Sequence, residues 1–114
     1  MITIWHNPKC SKSRQTLALL EARAPGRLTV RRYLEDAPDA DEISAVLAQL
    51  GGRAIDMMRR GEALFDDLGL DASDPDARLI AAMAQHPRLI ERPIVLHAGR
   101  AVIARPPETA LDIL

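Results

Sequence analysis

The hydrophobic pattern divides the 114-residue chain into short apolar runs towards its two ends and a stretch of helical periodicity between them. Met1–Trp5 is apolar and β-branched, which predicts a strand. From Ser11 to about Ala24, Leu17, Leu20 and Ala24 recur at helical spacing, and Pro25-Gly26 ends the segment. Leu28–Leu34 alternates well enough for a second strand. Strand, helix and strand at this spacing form a βαβ unit, whose two strands are parallel.

Between Asp39 and Leu50, Ile43, Val46, Leu47 and Leu50 fall at i, i+3, i+4 and i+7, with acidic residues at the start and Gly51-Gly52 beyond the end. That pattern predicts an amphipathic helix. Ala54–Arg60 is read as a short helix closed by Gly61, and Asp76–Gln85 as another, begun by Asp74-Pro75 and stopped before Pro87. Ile94–His97 and Ala101–Ala104 flank Ala98-Gly99-Arg100, a hairpin signal, and Pro106-Pro107-Glu108 opens a C-terminal helix running to Leu114. A βαβ half followed by a ββα half is the connectivity of a thioredoxin-like α/β domain. The expectation is one domain over residues 1–114 with a helical insertion at about 39–86.

Composition narrows the possible functions. Trp5, Tyr33 and Phe65 are the only aromatic residues, too few for a surface that stacks on bases. A net charge of −1 argues against general binding to nucleic acid or anionic membranes, so an anion site must be a local gathering of arginine and lysine. One cysteine cannot form an internal disulfide. The chain shows no secretory leader pattern and no apolar run of membrane-spanning length, which makes the cytoplasm the expected compartment. Three histidines at unrelated spacings give no metal motif.

The cysteine is the main candidate for chemistry. Cys10 lies in Trp5-His6-Asn7-Pro8-Lys9-Cys10-Ser11-Lys12-Ser13-Arg14, where the first strand turns into the first helix. Free backbone N–H groups and the positive end of the helix dipole favour thiolate there. Lone cysteines are commonly small core residues, but the neighbours Lys9, Ser11, Lys12 and Ser13 are polar and cationic, which favours a reactive thiol. Ser13 stands where a second cysteine would complete C-x-x-C, so no internal dithiol cycle is available. Arg14, one turn beyond Cys10, either contacts a bound oxyanion or is a solvated helix charge. His6 either reaches the thiolate or hydrogen-bonds the loop backbone, whereas His86 is read as a helix-end cap.

Several arginines could complete an anion site. Arg92 directly precedes Pro93 at the start of the hairpin, a candidate cis bond that would bring the preceding residue close to the thiol. Arg105 precedes Pro106, and Arg59 and Arg60 close the short central helix. Each supplies the planar fork of donors that a tetrahedral oxyanion needs.

Taken in order, His6–Arg14, Tyr33-Leu34-Glu35, Met57-Met58-Arg59-Arg60, Leu68-Gly69-Leu70, His86–Val95 and Arg105-Pro106-Pro107-Glu108 resemble the glutaredoxin-coupled arsenate reductases along nearly the whole chain. The resemblance implies Cys10 as nucleophile and Arg59, Arg92 and Arg105 as the arginines that bind arsenate. Arg59 is chosen over Arg60 by alignment of Met57-Met58-Arg59. It also implies that His6 and Arg14 support the thiolate loop, with glutathione as co-substrate, glutaredoxin as partner, no bound cofactor and a monomer.

Two other functions share the scaffold. Spx-type regulators grip RNA polymerase on this fold, and many carry the C-x-x-C switch that Ser13 breaks here. Another glutathione-dependent thiol oxidoreductase would use the same cysteine and arginines on a different anion.

Overall fold

The computed structural model describes all of residues 1–114. Four short strands form one sheet: β1 (Ile2–Trp5), β2 (Leu28–Arg31), β3 (Ile94–His97) and β4 (Arg100–Ile103). Their order is β2-β1-β3-β4. β1 pairs in parallel with β2, matching Ile2 to Leu28 and Trp5 to Arg31, and antiparallel with β3, matching Ile4 to Val95. Helix α1 (Ser11–Arg23) joins β1 to β2, as a parallel pair requires. This is the thioredoxin-like arrangement that the connectivity predicts.

The chain divides into two compact units. The first comprises Met1–Asp36 and Arg92–Leu114. Its core gathers Ile2 and Ile4 of β1, Leu20 of α1, Ala24, Val95 of β3, Ala104, Ala110 and Ile113, with Leu17, Leu28 and Val102 packed against them. Alternation places Ile2 and Ile4 on one face of β1, and the helix covers that face. The tip of the β3–β4 hairpin is Ala98-Gly99, with φ of 51° and 76°. Both values are left-handed, the backbone of the two-residue turn that suits twisted strands.

The second unit is Ala37–Glu91. It contains α2 (Ala40–Leu50), α3 (Ala63–Asp67) and α4 (Asp76–Gln85), with 3₁₀ turns at Ala54–Met57 and Pro87–Leu89. Asp39 caps α2: its carboxylate accepts from the Glu42 N–H at 2.8 Å, while Glu42 accepts from the Asp39 N–H at 3.3 Å. Gly51, at φ 80°, ends the helix in the left-handed conformation. Ile43 and Val46 of α2, Phe65 of α3 and Leu79, Ile80 and Met83 of α4 are buried.

Several elements differ from the sequence pattern, among them β4, which runs over Arg100–Ile103 rather than Ala101–Ala104. The helix expected over Ala54–Arg60 stops at Met57. Met58 instead bridges to Ile90, with the Glu91 N–H donating to Met57 C=O at 2.8 Å and the Arg59 N–H to Leu89 C=O at 2.7 Å. Pairing with the Leu89–Glu91 segment therefore wins over helix continuation, and it buries both Met57 and Met58. β2 ends at Arg31 rather than Leu34, because the N–H groups of Glu35 and Asp36 turn back to the Arg32 carbonyl. α3 was not expected: five residues are too few to show a period. The C-terminal element Pro107–Ile113 is 3₁₀ rather than α-helical.

Candidate active site

The chain leaves the sheet after Trp5, with the His6 N–H still donating to the Arg31 carbonyl at 2.8 Å. The next residues turn sharply. The Lys9 N–H donates to the Asn7 side-chain oxygen at 3.0 Å and the Cys10 N–H to the Asn7 carbonyl at 3.0 Å. Asparagine closes such a turn because its amide reaches the backbone two residues on. Cys10 is then the N-cap residue of α1, in extended conformation, and its carbonyl accepts the Arg14 N–H at 3.0 Å.

That position is usually held by Ser, Thr, Asp or Asn, whose oxygen receives the free N–H groups of the first turn. Here a sulfur holds it. Partial burial alone would push the Cys10 thiol up. The Ser13 N–H, the charge of Arg92, the Lys12 N–H and the Arg105 guanidinium outweigh that, and the thiol lies below its ordinary value. Nη1 of Arg105 is 3.9 Å from the Cys10 Sγ and donates to the Arg92 carbonyl at 3.1 Å. Both arginines directly precede a proline joined by a cis bond, at Arg92-Pro93 as expected and at Arg105-Pro106 as well.

The loop is braced from two sides. Nη1 of Arg14 donates to the Pro8 carbonyl at 3.0 Å, so its guanidinium is neither simply solvated nor free. Ser13 and Thr16 of α1 are fully buried. The Asn7 N–H donates to Ser13 Oγ at 2.9 Å, and Oγ lies 2.6 Å from His6 Nδ1. His6 is itself buried. Burial holds its pKa below the ordinary value of 6.5, helped by the charges of Arg32 and Arg14 and opposed by Glu21.

His6, Cys10, Arg14, Arg92 and Arg105 all belong to the first unit. Arg59 belongs to the second, where its guanidinium lies 3.4 Å from Glu62, which also approaches Arg88 at 3.8 Å. Arg60 follows it and is exposed. His86 occupies the C-cap of α4, its N–H donating to the Ala82 carbonyl, and His97 Nδ1 meets the Ile113 carbonyl at 2.7 Å. No group of three His, Cys, Asp or Glu side chains is placed to hold a metal ion.

The sequence pattern gave neither Asn7 nor Ser13 a part in closing the loop, and marked Ser13 only as the place of the missing second cysteine. A signal was present for Ser13. Ser13, Thr16 and Leu20 fall at i, i+3 and i+7, which puts two hydroxyls on the helix face that Leu20 shows to be buried.

The chain matches the ArsC family over residues 5–113. It is 46% identical over 116 residues to an arsenate reductase of Neisseria meningitidis serogroup B, covering 99% of this chain and 97% of that one. An arsenate reductase of Acidiphilium multivorum is 40% identical over 99% of this chain, which spans 80% of that longer protein. Among solved structures, an arsenate reductase from Vibrio cholerae superposes with a TM-score of 0.94 at 50% identity, over 99% of this chain and 97% of that one. Likeness of this extent settles the relationship: the chain belongs to the ArsC family.

Proposed function

We propose that the protein reduces arsenate to arsenite, with Cys10 as nucleophile and Arg59, Arg92 and Arg105 as the arginines that bind the oxyanion. The approach of Arg105 to the Cys10 sulfur, with Arg92 adding its charge, is the observation that carries this reading. A thiolate beside two guanidinium groups can attack an anion that repels a bare thiolate. The names of the relatives supply the identity of that anion.

Cys10 attacks arsenic as a thiolate, and one arsenate oxygen leaves as water. The chain has no second cysteine, so the reductant comes from outside. A glutathione thiolate attacks the Cys10 sulfur, and the S–As bond pair stays on arsenic, which becomes arsenite. Cys10 is left as a mixed disulfide with glutathione. Glutaredoxin clears it by thiol–disulfide exchange. The protein is read as a cytoplasmic monomer that needs no bound cofactor.

The test is arsenate-dependent NADPH oxidation in the presence of glutathione, glutaredoxin and glutathione reductase, with Cys10→Ser as control. Turnover that requires arsenate and Cys10 supports the proposal. If arsenate elicits no NADPH oxidation while Cys10 still exchanges with glutathione disulfide, the protein is a glutathione-dependent thiol oxidoreductase of another substrate.

A further inference from the structure

The hydroxyl of Ser13 has two hydrogen-bond partners. Its oxygen accepts the Asn7 N–H at 2.9 Å, and 2.6 Å away is Nδ1 of His6. Ser13 is fully buried, so water offers its single O–H no alternative. Nδ1 is the one acceptor within reach, and the O–H must donate to it. A ring nitrogen that accepts carries no proton, so the proton of the neutral imidazole sits on Nε2.

We propose that Ser13 is a positioning residue for Cys10: its hydroxyl fixes His6 as the neutral Nε2–H tautomer and ties the Asn7 backbone to α1, holding the turn that delivers the sulfur to the helix N-terminus. The chain connections make this specific. Asn7 supplies the carbonyl that accepts the Cys10 N–H and the amide oxygen that accepts the Lys9 N–H. Its own N–H ends on Ser13, one turn beyond Cys10 in the helix. The helix that begins at Cys10 therefore also grips the start of the loop that carries the sulfur. Where a dithiol enzyme would place its second sulfur, this chain places a hydrogen-bonding clamp.

Charges around the clamp agree with a neutral ring. Arg14 and Arg32 face His6 and oppose its protonation, with Glu21 acting the other way, while Arg92 and Arg105 face the thiol. The proposal rests on the reading of Cys10 as a working thiolate, but not on arsenate as its substrate.

Long-range proton–nitrogen NMR of the three histidine rings provides the test, together with the pH dependence of Cys10 alkylation by iodoacetamide. In the parent protein at neutral pH, His6 should show an unprotonated Nδ1 and a protonated Nε2. In Ser13→Ala the ring should lose that fixed tautomer, and alkylation at pH 7 should slow about three- to tenfold as the midpoint rises. Ser13→Thr, which keeps the hydroxyl, should retain the parent tautomer. A protonated Nδ1 in the parent protein overturns the proposal without any variant. An unchanged alkylation midpoint in folded Ser13→Ala overturns it equally. Because neither readout uses arsenate, absent turnover would sink the substrate assignment and leave the clamp standing.

Discussion

A guanidinium nitrogen of Arg105 lies 3.9 Å from the sulfur of Cys10, across 95 residues of sequence. The same nitrogen donates to the carbonyl of Arg92, so one side chain serves both the sulfur and the backbone at the start of the hairpin. Arg105→Ala removes a charged donor from both. The expected result is a higher alkylation midpoint for Cys10 and turnover reduced about ten- to a hundredfold, the size of a lost charge-assisted bond of about 1.5–3 kcal/mol. Lysine should restore the charge but not the planar fork, and so rescue only in part. Steady-state assays and alkylation profiles of the two variants check this.

Cys10→Ser should abolish turnover and change the dependence of stability on pH. The thiol is held below its ordinary value in the folded chain, so the unfolded chain binds the thiol proton more tightly. The parent protein therefore gains stability as pH rises from the lowered pKa towards 9.0, and loses it as pH falls through that range. The serine variant should lack this gain. Urea midpoints of the two proteins between pH 6 and 9 give the comparison.

His6 produces a second, separate window. Its folded-state pKa lies below 6.5, so the neutral ring's contribution is complete above pH 6.5 and is lost as pH falls through the folded value. His6→Asn should flatten that acid-side slope. Equal slopes for parent and variant below pH 6.5 would contradict the assignment.

Arg59→Ala separates an anion-binding arginine from a packing one. Its ion pair with Glu62 is partly exposed, so the variant should lose no more than about 1 kcal/mol of stability. If Arg59 serves arsenate, catalytic efficiency falls at least about tenfold, while Arg60→Ala stays near the parent. Parallel denaturation and kinetics on both variants discriminate the pair.

Ala98 has a backbone cost that can be relieved. Its φ of 51° is a conformation that alanine adopts at a cost of about 1 kcal/mol. Ala98→Gly or Ala98→Asn should raise the melting temperature by a few degrees without altering turnover. Calorimetry of the two variants tests the turn geometry directly.

Much of this architecture was legible because local and long-range preferences agree. Leu17 and Leu20 mark the buried side of α1, the acidic residues that open the segment mark the start of α2, and Ala98-Gly99-Arg100 marks the hairpin. The pattern failed where tertiary pairing decides: Met57-Met58-Arg59 reads as helical but is drawn into a bridge with Ile90. The thiol and the proline-preceding arginines could be named from the chain because their residue types carry the chemistry. Ser13 could not be assigned a role in the same way. A serine in a first helical turn is ordinarily solvated, and only the return of Asn7 and His6 over it makes its hydroxyl scarce.

The sulfur at the start of α1 also determines how Cys10 departs from a bond. The backbone N–H groups and arginines that favour its thiolate do so whether that thiolate is about to attack or has just been released. In thiol–disulfide exchange the more acidic sulfur leaves faster, so a disulfide formed at Cys10 breaks preferentially with Cys10 as the leaving group. The helix start withholds its stabilisation while the sulfur is covalently occupied and returns it on release. A chain with no resolving cysteine of its own thus weights every disulfide it forms towards regeneration of the free enzyme.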